Sequence, residues 1–285
     1  MDRICGIYGK VSDNIIFGML EQQKLKGSEK SFFWTSPDHK VQIGILQRSP
    51  VQNEKKTLTI AMNGDIFNTH KIKKKLDEYI KYLTDNDAEV VLHLYEKEGP
   101  DCIGQLDGIF ALALYDSEKG LMLARDRIGI KPLYYAKDDK NTLYFGSEIK
   151  SLMEIPNLDE IKEFPIGHYW FYPEPMKQYY KLPTPTNSIT NEEKAIQRVE
   201  MLLKSSMKKR LVIDEPMGAF LSGGTDSCII AAMANMMVPD SLKTFSVGMK
   251  DSPDLWMANK AAYILGTDHY EYVIPEDEIL TELPK

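Results

Sequence analysis

The sequence predicts two domains of different fold class: an N-terminal αββα sandwich of α+β type, then a partial doubly wound parallel α/β sheet. Residues 1–180 are rich in short strand-like runs with a few helical stretches between them. Two prolines, Pro183 and Pro185, then interrupt any regular element. From Gly218 onward, strands and helices alternate, which is typical of a parallel sheet. We therefore assign residues 1–182 and 190–285 to the two domains.

The predicted strands of the first domain are short apolar or β-branched runs. They cover residues 4–11, 41–46, 57–62, 110–115, 121–125, 134–135 and 143–146. Asn63, Gly64 and Asp65 follow the third run and are predicted to form a turn. A charged surface helix is predicted over residues 71–82 and an amphipathic helix over residues 87–98. The strands outnumber the helices, which indicates two antiparallel sheets layered between helices.

The second domain is predicted to open with a helix that begins near Asn191 and ends near Lys209. A buried strand, a tight Ser-Gly-Gly turn and a buried helix follow, over residues 218–221, 222–224 and 228–237. A strand over residues 243–249 precedes a helix that Asp254 and Gly266 are expected to cap. A last strand, over residues 269–274, completes the alternating pattern.

Composition narrows the class of protein. The chain has 285 residues, a formal net charge of −7 and three scattered cysteines. The acidic balance is unlike that of a general nucleic-acid or membrane-surface binder, and no apolar run approaches the ~20 residues of a membrane span. Scattered cysteines, odd in number, indicate a reducing compartment. We therefore expect a cytoplasmic protein, with neither nucleic acid nor membrane as a partner.

The turn between the strand at Gly218 and its helix is the most informative stretch. Its glycines leave the backbone open to a ligand, and the positive end of the helix faces the same space. An anion, most plausibly a phosphate chain, fits there. The loop is neither a Walker A motif nor a dinucleotide fingerprint. The alternative is a glycine-rich core turn with no ligand. The string Ser222, Gly223, Gly224, Thr225, Asp226, Ser227 resembles the pyrophosphate loop of the ATP pyrophosphatases.

Several stretches of the first domain are similar, in the same order, to class II glutamine amidotransferases, which have an Ntn-hydrolase fold. They are residues 5–7, 63–68, 87–90, 106–111, 124–135 and 146–150. An amidotransferase half joined to a Ser-Gly-Gly-x-Asp-Ser half resembles the asparagine synthetase family. That resemblance implies glutamine hydrolysis to supply ammonia, adenylation of aspartate, and ATP and Mg²⁺ as cofactors. Glutamine, aspartate and ATP are then the expected substrates.

The resemblance also implies roles for individual residues. Cys5 matches the nucleophile, whose own free α-amine is the base. Asn63 and Gly64 match the groups that hold the oxyanion. The expected glutamine-binding residues are Arg48, Asn63, Gly64, Asp65 and Asp87, with Arg48 pairing the substrate carboxylate and Asp87 binding its α-amine. The expected ATP-binding residues are Leu221, Ser222, Gly223, Gly224, Thr225, Asp226, Ser227 and Val247. No dedicated metal site is expected, although the family aspartate that matches Asp226 lies near magnesium.

Each of these residues has a plainer interpretation when taken alone. Cys5 is then a small buried apolar residue, and Asn63 with Gly64 is a common turn. Arg48 is then a solvated surface charge, and Asp87 a helix cap. Only their joint appearance in the family's order favours a site.

The sequence departs from the family in three places. Met1, Asp2, Arg3 and Ile4 precede Cys5, and Asp2 is too large for ordinary removal of the initiator Met. If these residues stay, the Cys5 nitrogen is an amide and cannot serve as a base. Residues 25–29 replace a family His-Arg-Gly-Pro-Asp motif. The chain is also expected to be truncated before the synthetase site is complete.

These departures leave three hypotheses. The first is an asparagine synthetase-type ligase, whole or as a fragment, in which a homodimer or a second chain completes the synthetase. The second is a relative without glutaminase activity that adenylates another carboxylate. The third is a non-catalytic nucleotide-binding or assembly protein of the same fold.

Overall fold

The structure is a computed structural model, and it describes residues 2–25, 29–76, 80–185, 189–211, 217–238, 240–275, 277–278 and 281. The chain divides into two compact units, Met1–Thr184 and Pro185–Lys285. Among the described residues, no helix combines the length and apolar character needed to cross a membrane.

The first unit contains two six-stranded antiparallel sheets. The first sheet has the order β10-β8-β9-β1-β3-β2, and its strands are β1 (Ile4–Tyr8), β2 (Ser31–Thr35), β3 (Val41–Leu46), β8 (Tyr134–Lys137), β9 (Leu143–Gly146) and β10 (Lys162–Glu163). The second sheet has the order β12-β11-β7-β6-β5-β4, and its strands are β4 (Val51–Gln52), β5 (Leu58–Ile66), β6 (Gly108–Asp116), β7 (Gly120–Arg125), β11 (His168–Phe171) and β12 (Lys177–Gln178).

Helices cover the outer face of each sheet. The helices α1 (Asp13–Gln23) and α4 (Lys150–Met153) pack on the first sheet through Ile16, Leu20 and Leu152. The helices α2 (Thr69–Lys75) and α3 (Asp87–Glu98) pack on the second sheet, as does a 3₁₀ helix over Pro100–Gln105. A third apolar cluster fills the space between the sheets. This is the predicted αββα sandwich, which is confirmed.

Two predicted elements of this unit have different bounds. The strand predicted to end at Met62 continues to Ile66, because each residue from Leu58 to Ile66 has a partner in β6. The helix predicted over residues 71–82 covers only Thr69–Lys75. The helix ends there because Leu76 has an extended backbone conformation, and its side chain is buried. Residues 77–79, also part of that prediction, lie outside the described residues.

The second unit contains the parallel sheet that the sequence predicts. Its strands β13 (Gly218–Phe220), β14 (Lys243–Met249) and β15 (Asp268–Ile274) lie in that order. The helix α5 (Glu192–Arg210) precedes β13, and the helices α6 (Thr225–Asn235) and α7 (Pro253–Leu265) occupy the connections between the strands. Small side chains of α6 and α7, among them Ala231 and Ala258, pack with Leu221 in one apolar cluster.

Local details of this unit correct the sequence interpretation. The strand at Gly218 and the helix after the turn were both expected to be buried. Phe220 is 82% exposed, however, and α6 has only Ala231 and Ala234 buried. The central strand β14 shows the same one-sided burial. Thr244 and Ser246 are buried, whereas Phe245 and Val247 on the opposite face are exposed. Within the described residues, the sheet therefore has one well-covered face.

The caps of the unit's helices agree with the sequence in two of three cases. Asn191 caps α5, because its side-chain oxygen accepts a hydrogen bond from the Lys194 N–H. Gly266 ends α7 in the left-handed conformation, as expected. Ser252, rather than Asp254, is the residue before α7, because Pro253 occupies its first position.

Candidate functional site

Asn63 and Gly64 lie inside β5, so the prediction of a turn is wrong. They pair with Ala111 and Phe110 of β6. Gly64 has a φ of +130°, and a Cβ at this position would lie 1.9 Å from the carbonyl oxygen of Ile109. The glycine therefore allows a close approach of two strands rather than a reversal of the chain.

The side chain of Asn63 is directed between the two sheets. Alternate residues of a strand share a face, and Ala61, two residues earlier, belongs to the cluster between the sheets. Asn63 is buried, and its Oδ1 atom has no hydrogen-bond partner among the described residues. A buried amide oxygen without a partner is uncommon and often marks a functional position.

Cys5 is the second residue of β1, paired with Gly44 on one side and Gly146 on the other. Its side chain belongs to the cluster formed with α1, while the neighbouring Ile4 belongs to the cluster between the sheets. The thiol therefore faces α1 and not the space into which Asn63 points. Cys5 is fully buried, and this burial raises the pKa of its thiol well above the ordinary value, with a partly opposing effect of Gln23.

Arg48, Asp65 and Asp87 lie within electrostatic reach of one another. Asp87 opens α3, and its Oδ2 atom accepts a hydrogen bond of 2.7 Å from the Ile66 N–H at the end of β5. Burial raises the pKa of Asp87; the Ile66 hydrogen bond and the charge of Arg48 oppose this shift, and the charge of Asp65 adds to it. Asp65, near the end of β5, and Arg48 thus both act electrostatically on Asp87, so the structure brings three of the five expected glutamine-binding residues together.

Asp2 joins this group, which the sequence interpretation missed. Its Oδ2 atom lies 3.4 Å from the Nε atom of Arg48. Burial raises the pKa of the Asp2 carboxyl, and the charges of Arg48 and Lys131 oppose that shift. The sequence interpretation treated Asp2 only as an obstacle to removal of Met1. A signal that could have found Asp2 is its negative charge, just before a strand that borders the predicted binding site for the substrate carboxylate.

An open pocket of about 560 Å³ adjoins Arg48. Its wall consists of residues 48–52 and 83–86, together with Glu89 of α3. The Glu89 carboxylate accepts hydrogen bonds from the N–H groups of Leu83 and Thr84, at 2.7 Å each, which fixes the far wall. The volume is within the usual range for a small-molecule site.

The loop over residues 126–131 belongs to a stretch that the sequence analysis compared with class II glutamine amidotransferases without assigning it a role. Asp126 is fully buried, and its carboxylate accepts hydrogen bonds from five backbone N–H groups at 2.7–3.2 Å; the donors are Phe110, Ile128, Gly129, Ile130 and Lys131. Arg125 donates to the carbonyl oxygens of Gly129 and Lys131 from the other side. The loop holds Lys131, a buried residue whose side chain forms no hydrogen bond or ion pair with any described residue.

The predicted phosphate loop connects β13 to α6. Gly223 has a φ of +76°, and a Cβ there would lie 2.5 Å from the backbone of Met257. Gly224 has an ordinary φ of −72° and precedes the first residue of α6. Gly223, and not Gly224, is therefore the position that requires glycine. The Oγ atoms of Ser222 and Ser227 lie 3.0 Å apart, and both residues border the open end of the helix.

The other expected ATP-binding residues are spread over both faces of the sheet. Leu221 is buried under α6 and α7, whereas Val247 lies on the exposed face. Thr225 and Asp226 form the first turn of α6, and both are exposed. Among the described residues, no group of three or more His, Cys, Asp or Glu side chains can hold a metal ion. Asp226 alone can contribute one carboxylate to Mg²⁺ that is otherwise held by phosphate oxygens.

Each of the two parts of the chain matches a known protein family. Residues 1–195 match the model of the glutamine amidotransferase domain family, and residues 198–285 match that of the asparagine synthase family. The solved structure of a glutamine phosphoribosylpyrophosphate amidotransferase from B. subtilis, in complex with ADP and GMP, has a TM-score of 0.54. It is 14% identical, and the match covers 98% of this chain and 70% of that one, so it supports the fold alone.

Similar curated proteins are asparagine synthetases, which are ligases. Asparagine synthetase B of Escherichia coli K12 is 37% identical over 242 residues, which cover 78% of this chain and 43% of that protein. A probable asparagine synthetase of Schizosaccharomyces pombe is 35% identical, covering 82% of this chain and 46% of that protein. The chain thus spans less than half the length of these relatives. It belongs to the glutamine amidotransferase family and carries, after that domain, part of an asparagine synthase domain.

Proposed function

We propose that this chain is the glutamine-using part of an asparagine synthetase-type ligase, together with the start of its ATP-using part. Residues 1–182 hydrolyse glutamine to supply ammonia, and residues 190–285 hold ATP for the adenylation of aspartate. The unpaired cysteines support a cytoplasmic location.

The observation that carries the proposal is the pair of opposite charges beyond the Asn63–Gly64 strand. An α-amino acid is a zwitterion, so its binding site needs a cation for the carboxylate and an anion for the amine. Arg48 and Asp87 supply these charges, and the charge of Arg48 acts on the Asp87 carboxyl. Asp65 adds a second negative charge beside the amine position.

The proposed chemistry is acyl transfer through a thioester. The Cys5 sulfur attacks the side-chain amide carbon of glutamine, while the thiol proton passes to a base and then to the leaving ammonia. The Asn63 side-chain NH₂ and the Gly64 N–H stabilise the oxyanion. Water then hydrolyses the thioester to glutamate. The base requires removal of residues 1–4, since the Cys5 nitrogen is otherwise an amide within β1. The attack also requires the thiol, which faces α1 in the full chain, to turn toward the space between the sheets.

In the second domain, the loop from Ser222 to Ser227 is proposed to bind the phosphates of ATP. Its residues fit, because Gly223 lets the loop pass close to α7, Gly224 leaves the backbone open beside it, and the N-terminus of α6 presents free N–H groups. Asp226 would hold Mg²⁺ together with phosphate oxygens. When bound, ATP supplies the AMP group that activates a carboxylate.

A second candidate function is also supported by a specific observation. Cys5 is fully buried, faces α1 and has a raised thiol pKa. If residues 1–4 are retained, these properties favour a relative that binds an amino acid and ATP but does not hydrolyse glutamine.

The experiment compares the full chain with one encoded to begin Met-Cys5, from which aminopeptidase removes Met. Glutamate release from glutamine and labelling of Cys5 by a glutamine-like electrophile are measured, and intact mass confirms each N-terminus. We expect both signals only in the shortened chain, since a general base contributes about 10²–10⁴-fold in rate. Cys5→Ala should abolish both, whereas Cys102→Ala, at another buried thiol of the same unit, should preserve both. Equal rates in the two chains would contradict the mechanism.

A further inference from the structure

The residues before Cys5 are an integral part of the first sheet. The Arg3 guanidinium forms ion pairs with Glu29, at 3.3 Å, and with Glu148. The Arg3 carbonyl oxygen accepts a hydrogen bond of 2.9 Å from the Leu46 N–H, which continues the pairing of β1 with β3. The Ile4 N–H donates to Ser147 Oγ at 3.0 Å, and the Ile4 side chain is fully buried.

This anchoring fixes the position of Asp2. Its side chain is 12% exposed and pairs with Arg48, which is 51% exposed and also forms part of the pocket of about 560 Å³. Lys131, buried and without another partner among the described residues, is a second cation within electrostatic reach of Asp2. The Asp2 carboxylate is therefore paired with a cation that borders an open pocket, and the charge of Lys131 also acts on it.

We propose that Asp2 is an internal ligand that occupies the carboxylate subsite of the amino-acid site. The proposal rests on the proposed function, in which Arg48 pairs with the carboxylate of glutamine. Asp2 presents the same chemical group to the same guanidinium, so an incoming amino acid must displace it. Ordinary surface ion pairs contribute little; here, however, Arg3 and Ile4 hold the carboxylate in place, which lowers the entropic cost of keeping the pair formed.

A consequence is that residues 1–4 impede the first unit in two ways at once. They acylate the nitrogen of Cys5, and they place Asp2 on Arg48. Their loss therefore exposes the amine and vacates the carboxylate subsite in one event. The full chain should thus bind amino acids more weakly than a chain in which only Asp2 is changed.

The test measures binding of L-glutamate to the full chain by calorimetry, since glutamate carries the same α-carboxylate and does not turn over. We expect Asp2→Ala to tighten binding by about two- to five-fold, the usual contribution of a partly exposed ion pair. Asp2→Asn keeps the shape but removes the charge, and should give a smaller gain. Glu160→Gln, which removes an equal charge from the exposed pair with Lys162, should leave the affinity unchanged.

Arg48→Ala in the Asp2→Ala background separates the two proposals. We expect it to remove the gain and to weaken binding below that of the unchanged chain. If Arg48→Ala weakens binding but neither Asp2 variant tightens it, the internal-ligand proposal is wrong and the amino-acid site stands. If Arg48→Ala leaves the affinity unaltered, Arg48 is not the carboxylate partner, and both proposals fail.

Discussion

Replacing Gly64 by alanine tests the close approach of β5 and β6 directly. The added Cβ would lie 1.9 Å from the Ile109 carbonyl oxygen and 2.9 Å from the Phe110 Cα. All of these contacts involve backbone atoms of the neighbouring strand, so no side-chain rotation can relieve them. The alanine would also have to keep a φ of +130°, which residues with a Cβ rarely adopt.

Two contributions determine the loss of stability expected for Gly64→Ala. The strained φ costs about 1–3 kcal/mol. Separation of the strands leaves roughly two buried hydrogen bonds unmade, at about 1–3 kcal/mol each. Gly64→Ala should therefore lower the free energy of unfolding of the first unit by about 3–9 kcal/mol, a large fraction of the stability of an ordinary domain.

Urea unfolding followed by tryptophan fluorescence measures this effect, because Trp34 and Trp170 both lie in the first unit. Gly18→Ala is the matched control: Gly18 lies inside α1, and a Cβ there meets nothing within 4 Å. That variant should gain up to about 1 kcal/mol from helix propensity. If the free energy of unfolding of the Gly64→Ala chain is within about 0.5 kcal/mol of that of the unchanged chain, the described path of β5 is wrong.

Three further predictions follow from contacts in the two units. Asp126→Asn should lower the free energy of unfolding of the first unit by about 2–5 kcal/mol, because at least two of five buried N–H groups lose their acceptor; an unchanged urea midpoint would contradict it. Gly223→Ala should weaken binding of an ATP analogue and increase hydrogen exchange in α7, whereas Gly224→Ala should leave that exchange unaltered, because its Cβ meets only Ser222 Oγ at 3.5 Å. Because burial raises the pKa of Asp87, its contribution to stability is greatest below the unfolded pKa of about 4 and is lost as the pH rises through the folded pKa. Asp87→Asn should therefore raise the melting temperature at pH 7 and weaken glutamate binding, and a lower melting temperature would contradict the direction of the shift.

The sequence was sufficient for the elements that depend on local pattern. The helix over Asp87–Glu98 and the strand over Val41–Leu46 have the predicted bounds, because their apolar spacing and caps are local signals. Asn63 and Gly64 were interpreted as a turn because the same dipeptide ends many strands. Only the pairing of Gly64 with Phe110, 46 positions further along the chain, keeps β5 extended. That pairing is a tertiary contact that no local pattern contains.

The candidate site was predictable to a similar degree. Resemblance selected Arg48, Asp65 and Asp87, which the structure brings within electrostatic reach. It did not give the orientation of Cys5, because the face of β1 that packs against α1 is determined by tertiary contacts. The sequence also did not distinguish the two glycines of the phosphate loop, of which only Gly223 has a positive φ. Residues 26–28 of the departing loop lie outside the described residues.

The place of β1 in its sheet has a consequence for maturation. It is an inner strand of the six-stranded sheet, paired with β9 on one side and β3 on the other. The Ile4–Cys5 peptide bond joins two fully buried residues. A peptidase needs an extended, accessible segment, and opening a central strand costs nearly the full free energy of unfolding. An external peptidase could therefore cut this bond only before β1 has paired, while the chain is being made. For such an enzyme, the state of the N-terminus is decided in the interval between synthesis and folding.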